Sequence, residues 1–358
     1  MPDLTQTSAY DFVLPETQIA THPADPRDSA RLLVVDGDAR QHLVFRDIVD
    51  WFKPGDCLVV NDVMVQKARF YVRRATGAVI EVLLTDDVTH HARIHTCLYR
   101  GGHFPADEIL IAVNDETIQV RLWRDTETRE SLCYVEFLGS EPIVEMLGRV
   151  GQLPLPPYIV KRRKTKGDSL YEASDDKQYQ TVYAQSGSAV AAPTAGLHFT
   201  PELIQRLQDK GVTFARLRLD VGPGTFRPVQ TESLDAHVMH SERYFISPEL
   251  ADALAKTRLA AGRVVAVGTT VVRSLEDQFA RFGKLVPGTY ETDIFIRPGF
   301  RFGVVDAMIT NFHLPGSTLM VLVSAFGGHE TIMTAYADAI AKGYRFYSYG
   351  DAMLLMRI

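Results

Sequence analysis

Four stretches of the chain combine residue types that do chemistry more readily than they build a core. The first is Ala192-Pro193-Thr194-Ala195-Gly196-Leu197-His198-Phe199, which is poor in bulky apolar side chains. Small residues leave backbone amides accessible and Gly196 tolerates positive φ, so Pro193, Thr194, Gly196 and His198 suit a backbone that approaches a ligand closely. In the second, the apolar run Val264-Val265-Ala266-Val267 leads into Gly268-Thr269-Thr270 and then a helix carrying Arg273. Free amides at a helix start, two hydroxyls and a guanidinium make an anion site, although the same residues also build a well-capped strand-to-helix turn. In the third, His313 follows Asn311-Phe312 at a strand-to-turn exit, where polar groups commonly face a pocket. The fourth, Asp220-Val221-Gly222-Pro223-Gly224-Thr225-Phe226, reads as a rigid ligand-facing loop in which Gly222, Gly224 and Thr225 offer backbone and hydroxyl and Phe226 a flat ring. Glu242 and Asp351 are single carboxylates that either meet a cationic group or serve structure as a cap or an arginine partner. His237 and His240 stand three apart without a third ligand at convincing spacing, so no metal is expected.

The elements that must position these residues alternate in type along the chain. Phe45, Ile48, Val49 and Phe52 fall at helical spacing before Pro54-Gly55, and Cys57-Leu58-Val59-Val60 reads as a strand. From Lys67 to about Leu147 the pattern changes to short alternating segments, clearest at Thr117-Ile118-Gln119-Val120-Arg121-Leu122-Trp123. Thr200-Pro201-Glu202 and Ser247-Pro248-Glu249 each place a capping hydroxyl, a proline and an acid at a helix start, and Gly211 and Gly262 end those helices. The expected fold class is mixed α/β: a discontinuous main domain, residues 1–66 and 148–358, interrupted by a small, mostly β, barrel-like domain over residues 67–147. The polar residues 164–177 are expected to be mobile until a partner orders them.

With 358 residues, 46% hydrophobic and 23% charged, the composition is that of an ordinary soluble protein large enough for two domains. No run approaches the roughly 18 apolar residues a membrane helix needs. The N-terminus lacks the basic-then-apolar pattern of a secretion signal, so the cytoplasm is the expected location. Cys57, Cys97 and Cys133 are isolated in apolar runs and read as reduced buried thiols. A net charge of −6 confines any nucleic-acid contact to a local patch, for which Lys161-Arg162-Arg163-Lys164-Thr165-Lys166 competes with a plain solvated loop.

Many unusual words occur in one order: Pro26-Arg27-Asp28-Ser29-Ala30-Arg31-Leu32-Leu33, Pro154-Leu155-Pro156-Pro157-Tyr158-Ile159, the tract around His198, Met239-His240-Ser241-Glu242, Val267-Gly268-Thr269-Thr270, Asn311-Phe312-His313-Leu314-Pro315 and Tyr347-Ser348-Tyr349-Gly350-Asp351. In these the chain resembles the S-adenosylmethionine:tRNA ribosyltransferase-isomerases of queuosine biosynthesis. The resemblance implies an inserted β domain and a reaction in which S-adenosylmethionine donates its ribosyl group to the aminomethyl-deazaguanine base of a tRNA. Epoxyqueuosine forms, and adenine and methionine leave. It implies tRNA and S-adenosylmethionine as partners; on the residues no cofactor and no membrane are expected, and a monomer is the expected state. A proton beside a sulfonium is acidic enough for imidazole, so His198 and His313 become the candidate bases. Glu242 and Asp351 become partners for sulfonium or methionyl ammonium, while Thr269, Thr270 and Arg273 meet hydroxyls or carboxylate. The chain departs from the family's usual words at Val63, Met64, Pro223 and Arg227. The glycine loop also superficially resembles that of Rossmann-type methyltransferases, which Phe226 in place of a third glycine and Pro228 oppose. A methyltransferase-like or non-catalytic RNA-binding relative is the alternative.

Overall fold

A computed structural model describes residues 2–88, 92–102, 104, 105, 108–124, 133–222 and 229–358. Pro223, Gly224, Thr225, Phe226 and Arg227 lie outside the described residues. The chain opens with β1 (Arg31–Asp36), β2 (Ala39–Val44), β3 (Cys57–Asn61) and the short β4 (Val63–Val65). A barrel follows, made of β5 (Arg69–Arg73), β6 (Val79–Leu84), β7 (Ile94–Arg100), β8 (Ile109–Ala112), β9 (Asp115–Arg124) and β10 (Cys133–Phe137). After α1 (Ile143–Val150), α2 (Pro157–Lys166) and α3 (Asp175–Gln178) come β11 (Ser186–Ala189), α4 (Pro201–Asp209), β12 (Thr213–Leu219) and β13 (Glu242–Ile246). The chain closes with α5 (Pro248–Leu259), β14 (Val264–Val267), α6 (Thr269–Phe282), β15 (Gly288–Thr292), β16 (Ala307–Asn311), α7 (Thr318–Gly327), α8 (His329–Ala341) and β17 (Ala352–Met356).

Nine strands form one mixed sheet in the order β15-β13-β12-β3-β14-β16-β17-β1-β2. Its middle is parallel: β12 and β14 flank β3, and β16 extends the run beyond β14. Strands buried on both faces need unbroken apolar sequence, and every residue of β3, β14 and β16 is buried. Thr200 and Ser247 cap α4 and α5 by accepting the Leu203 and Leu250 amides at 3.1 Å each, as their sequence implies.

The barrel closes in the order β10-β7-β6-β5-β8-β9, so no strand edge is left unpaired. Along β9 the alternation turns Ile118, Val120 and Leu122 inward. Its core reaches past Leu147, because Val150 of α1 packs into it and Arg69 and Gln152 exchange backbone hydrogen bonds of 3.2 and 2.7 Å.

Two expectations are corrected here. Phe45, Ile48 and Val49 are buried, but as a seven-residue 3-10 helix, Phe45–Trp51, rather than an α-helix. So short a segment before Pro54 gains few α-helical hydrogen bonds against its nucleation cost. Residues 164–177, expected to be loose, are anchored at Asp175 and Asp176. Arg163, from the middle of the basic run, is completely buried on α2, its guanidinium gripping both oxygens of Asp175 at 2.7 and 2.8 Å and the Thr21 carbonyl at 3.0 Å. The basic run is therefore helix, with Lys161, Lys164 and Lys166 exposed and Arg163 withdrawn from any surface patch. Val63, one of the departures from the family pattern, sits in the main core, where an apolar side chain fits.

Removing one partner of a buried ion pair leaves the other charge uncompensated, at a cost of about 3–5 kcal/mol. Asp175→Ala is expected to lose that much in urea denaturation and to open residues 164–178 to limited proteolysis. A midpoint unchanged from that of the parent chain would contradict the tether.

A two-cavity candidate active site at the carboxyl edge of the sheet

In sheets with a parallel centre, ligands sit outside the carboxyl ends of the strands. Here β3, β12, β14 and β16 all end on one edge, and each exit carries polar residues. At β3, the fully buried Asn61 side chain donates to the Leu219 carbonyl at 3.0 Å and accepts the Leu219 amide at 3.1 Å. It thereby fixes the start of the Asp220-Val221-Gly222 exit.

At β14, Gly268 has φ +93° and donates its amide to the Ile309 carbonyl at 2.8 Å. This conformation is strained for any residue with a Cβ, and it allows the strand to turn straight into α6. Thr269 and Thr270 then face a small cavity of about 80 Å³, and Arg273, one turn later, lines a larger one of about 550 Å³. The two cavities adjoin, sharing Val221 and Leu319 in their walls.

Arg273 and Glu242, the first residue of β13, are both buried and form an ion pair. The Arg273 Nε donates to the Ile294 carbonyl at 3.2 Å, while its Nη2 is a buried donor with no partner among the described residues. An unsatisfied buried guanidinium nitrogen costs stability unless something arrives to accept from it, which makes Arg273 a candidate ligand contact.

At β16, Asn311 accepts from the Thr194 hydroxyl at 2.9 Å and donates its amide to His198 Nε2 at 3.1 Å. His198 therefore carries its proton on Nδ1. It packs against Phe45, with ring centroids 5.0 Å apart, and lines neither cavity. Burial, with the nearby Arg345 and Arg27 charges, holds its pKa down at about 3. His313 does line the small cavity, beside Thr310 Oγ1 at 2.8 Å, and burial lowers its pKa to about 3. Both imidazoles are neutral at neutral pH, and of the two only His313 lines a cavity.

The structure thus gathers Pro193, Thr194, Gly268, Thr269, Thr270, Asn311 and His313 around the small cavity and Gly222, Glu242 and Arg273 around the large one. It does not bring Asp351 there. That carboxylate is buried, accepting the Arg31 amide at 3.0 Å and the Arg345 amide at 2.8 Å, so it ties the turn before β17 to the start of β1. Gly196 also stands back from both cavities, and a Cβ there would come 1.9 Å from the Tyr183 hydroxyl, so its need is packing.

Several lining residues escaped sequence reasoning. Tyr158 and Ser348, hydrogen-bonded to each other beside the small cavity, lie inside family words that could have flagged them. Thr85, Asp86 and Asp87 come from the barrel and carry no sequence signal that would place them at a site on the other domain.

A family model described as "Queuosine biosynthesis protein" matches residues 7–355. A curated relative from Pelobacter propionicus, an S-adenosylmethionine:tRNA ribosyltransferase-isomerase, is 47% identical over 355 residues, covering 97% of this chain and 98% of its own. One of the same name from Trichlorobacter lovleyi is 46% identical over 353 residues, covering 97% of this chain and 98% of its own. The crystal structure of S-adenosylmethionine tRNA ribosyltransferase from Thermotoga maritima is 34% identical, with a TM-score of 0.54, and covers 98% of this chain and all of that one.

The two buried histidines make stability depend on pH. Unfolded, they take a proton near pH 6.5, whereas folded they stay neutral down to about 3. The unfolded state therefore binds more protons inside that window. Stability is full above pH 6.5 and falls as pH drops toward 3, by up to about 1.4 kcal/mol per pH unit for each histidine. Urea midpoints measured between about pH 7.5 and 5 should show this decline, and His313→Gln should flatten part of it.

Proposed function

Because this chain belongs to the queuosine biosynthesis protein family, that of the S-adenosylmethionine:tRNA ribosyltransferase-isomerases, we propose a division of that reaction between its two adjoining cavities. The donor is S-adenosylmethionine and the acceptor the aminomethyl-deazaguanine base of a tRNA. The products are epoxyqueuosine in the tRNA, adenine and methionine.

The observation that carries this reading is Arg273. Its unpartnered Nη2 takes the methionine carboxylate, while Glu242 holds the guanidinium in place. Glu242 acts through the arginine rather than by meeting the sulfonium. The large cavity has the volume of an ordinary small-molecule site and holds the methionyl part. The ribose lies where the cavities meet, its hydroxyls toward Thr269, Thr270 and Asn311. His313 receives the proton that leaves the carbon beside the sulfonium. His198 is a positioning residue that orients Asn311 through the Thr194-Asn311-His198 chain. The protein works as a monomer in the cytoplasm, where its tRNA is. Among the described residues no helix is long and apolar enough to cross a membrane.

A single-turnover incubation with S-adenosylmethionine and tRNA carrying the aminomethyl base, resolved by mass, is expected to release adenine and methionine together with epoxyqueuosine. S-adenosylhomocysteine would instead indicate methyl transfer. Arg273→Lys keeps a charge beside Glu242 but loses the second planar donor. It is expected to raise the donor KM roughly 10- to 100-fold, the worth of a charge-assisted hydrogen bond of about 1.5–3 kcal/mol. An unchanged donor KM would remove Arg273 from the carboxylate site.

A further inference from the structure

We infer that the groove between the barrel and the start of α2 holds the nucleotide next to the acceptor base in the tRNA loop. The inference rests on the reading above, which supplies the RNA, and gives that RNA a contact outside the two cavities.

The groove has a volume of about 350 Å³, within the range of small-ligand sites, and runs between the outer face of the barrel and the segment that opens α2. Strand register builds its barrel side: Leu83 of β6 lies beside Leu98 of β7, and Glu81 beside Arg100. Alternation turns these side chains outward, because Val82 and Cys97 face the barrel core. Opposite them stand Pro154, Leu155 and Pro157. The floor is therefore apolar, yet Leu98 is 42% exposed and Pro157 is exposed as well. Apolar side chains that face each other across an open gap offer contact to both faces of a flat ring.

The position of the groove says which ring. Val190 belongs to the walls of both the groove and the large cavity, so the two spaces adjoin. Proteins that read RNA loops splay successive bases apart into separate pockets. An acceptor base in the cavity brings its neighbour along the backbone to the next space, and that space is the groove.

The rim supplies the charge that a phosphate backbone needs. Lys161 and Lys164 follow Pro157 at i+4 and i+7, so the helix face that begins at the groove continues as two exposed cations. Arg163 points the other way and is buried. Across the gap Arg100 is exposed, and its neighbour Glu81 already meets Arg69 at 3.4 Å. A chain of net charge −6 must attract RNA through a local patch, and cations bordering an apolar floor are the arrangement that takes a single-stranded nucleotide, its base on the floor and its phosphates at the rim.

The test uses the full protein with an anticodon stem-loop RNA carrying the aminomethyl-deazaguanine base, and two further RNAs with an abasic residue immediately 5′ or 3′ of that base. Loss of the base that occupies the groove is expected to weaken binding to the parent about tenfold, on one side only. Leu98→Glu, which puts an anion at an already exposed position of the floor, is expected to weaken binding of the intact RNA by a similar factor. It should lose nothing more with that abasic RNA and keep its affinity for S-adenosylmethionine. Lys161→Ala combined with Lys164→Ala is expected to make the slope of log affinity against log salt shallower by about 1.4, at about 0.7 for each phosphate contact on a single strand. These two lysines sit at exposed helix positions, so this variant keeps the test open should Leu98→Glu fold poorly. Losses from Leu98→Glu and from the abasic residue that multiply overturn the inference, and so does an unchanged salt slope in the lysine variant. A Leu98→Glu protein that changes its self-association and not its RNA affinity also overturns it, by marking a contact between copies of the chain. A parent protein that turns over the aminomethyl RNA and binds both abasic RNAs as tightly as the intact one overturns this inference alone. A parent protein that does not turn it over removes the reading on which the inference rests as well.

Discussion

The site depends on the alignment of four parallel strand ends, and the fully buried Asn61 ties two of them together. At this position the chain leaves the sheet for the barrel on one side, while β12 leaves it for the glycine loop on the other. The Asn61 amide satisfies both the carbonyl and the N–H of Leu219, groups that the departing strands would otherwise leave unpaired in a buried place. A hydrophobic residue of similar size would fill the space and leave those two backbone groups without partners. Gly268 does the corresponding work at β14, where its positive φ lets α6 begin without an intervening loop. Those two residues fix the distance between the exit of β12 and the first turn of α6, and with it the space the cavities occupy.

Charge in this site is compensated by pairing and by burial. Glu242 and Arg273 neutralise one another in a dry setting, where either alone would be costly. The histidines nearby are kept neutral by burial, so the interior adds no further positive charge to repel a sulfonium. Hydrogen bonds carry the rest: Thr194, Asn311 and His198 form a chain in which each donor has an acceptor, which keeps the Asn311 amide from turning over.

Much of this arrangement was legible in the residues. The helix caps at Thr200 and Ser247 and the glycine exit of the strand Val264–Val267 follow from local chemistry, because the relevant groups lie within a few positions, and the barrel shows in the alternating period of its segments. What was not legible depended on partners far along the chain. Asp351 has the same composition of neighbours as a ligand-binding acid, and only the fold brings the Arg31 amide to it. Arg163 sits in a run of cations that reads as surface, yet Asp175 and Thr21 turn it inward. The 3-10 turn at Phe45–Trp51 kept its buried face while changing its helix type, since burial is set by apolar spacing and helix type by the length available.

The insertion has a consequence for the order in which the molecule is made. The barrel strands run from residue 69 to 137 and, apart from the Arg69 bridge to Gln152, their ladders among the described residues join only barrel strands, so nearly every partner has emerged from the ribosome by the time α1 appears. β3 is made earlier but waits far longer. Its neighbours are β12 and β14, and the Asn61–Leu219 contact spans 158 positions. Through that interval a strand apolar but for Asn61 lacks its two sheet neighbours, while the barrel follows it on the nascent chain. Nascent-chain holding factors therefore have their target in the earliest part of the polypeptide, and the large domain is the last to acquire its centre.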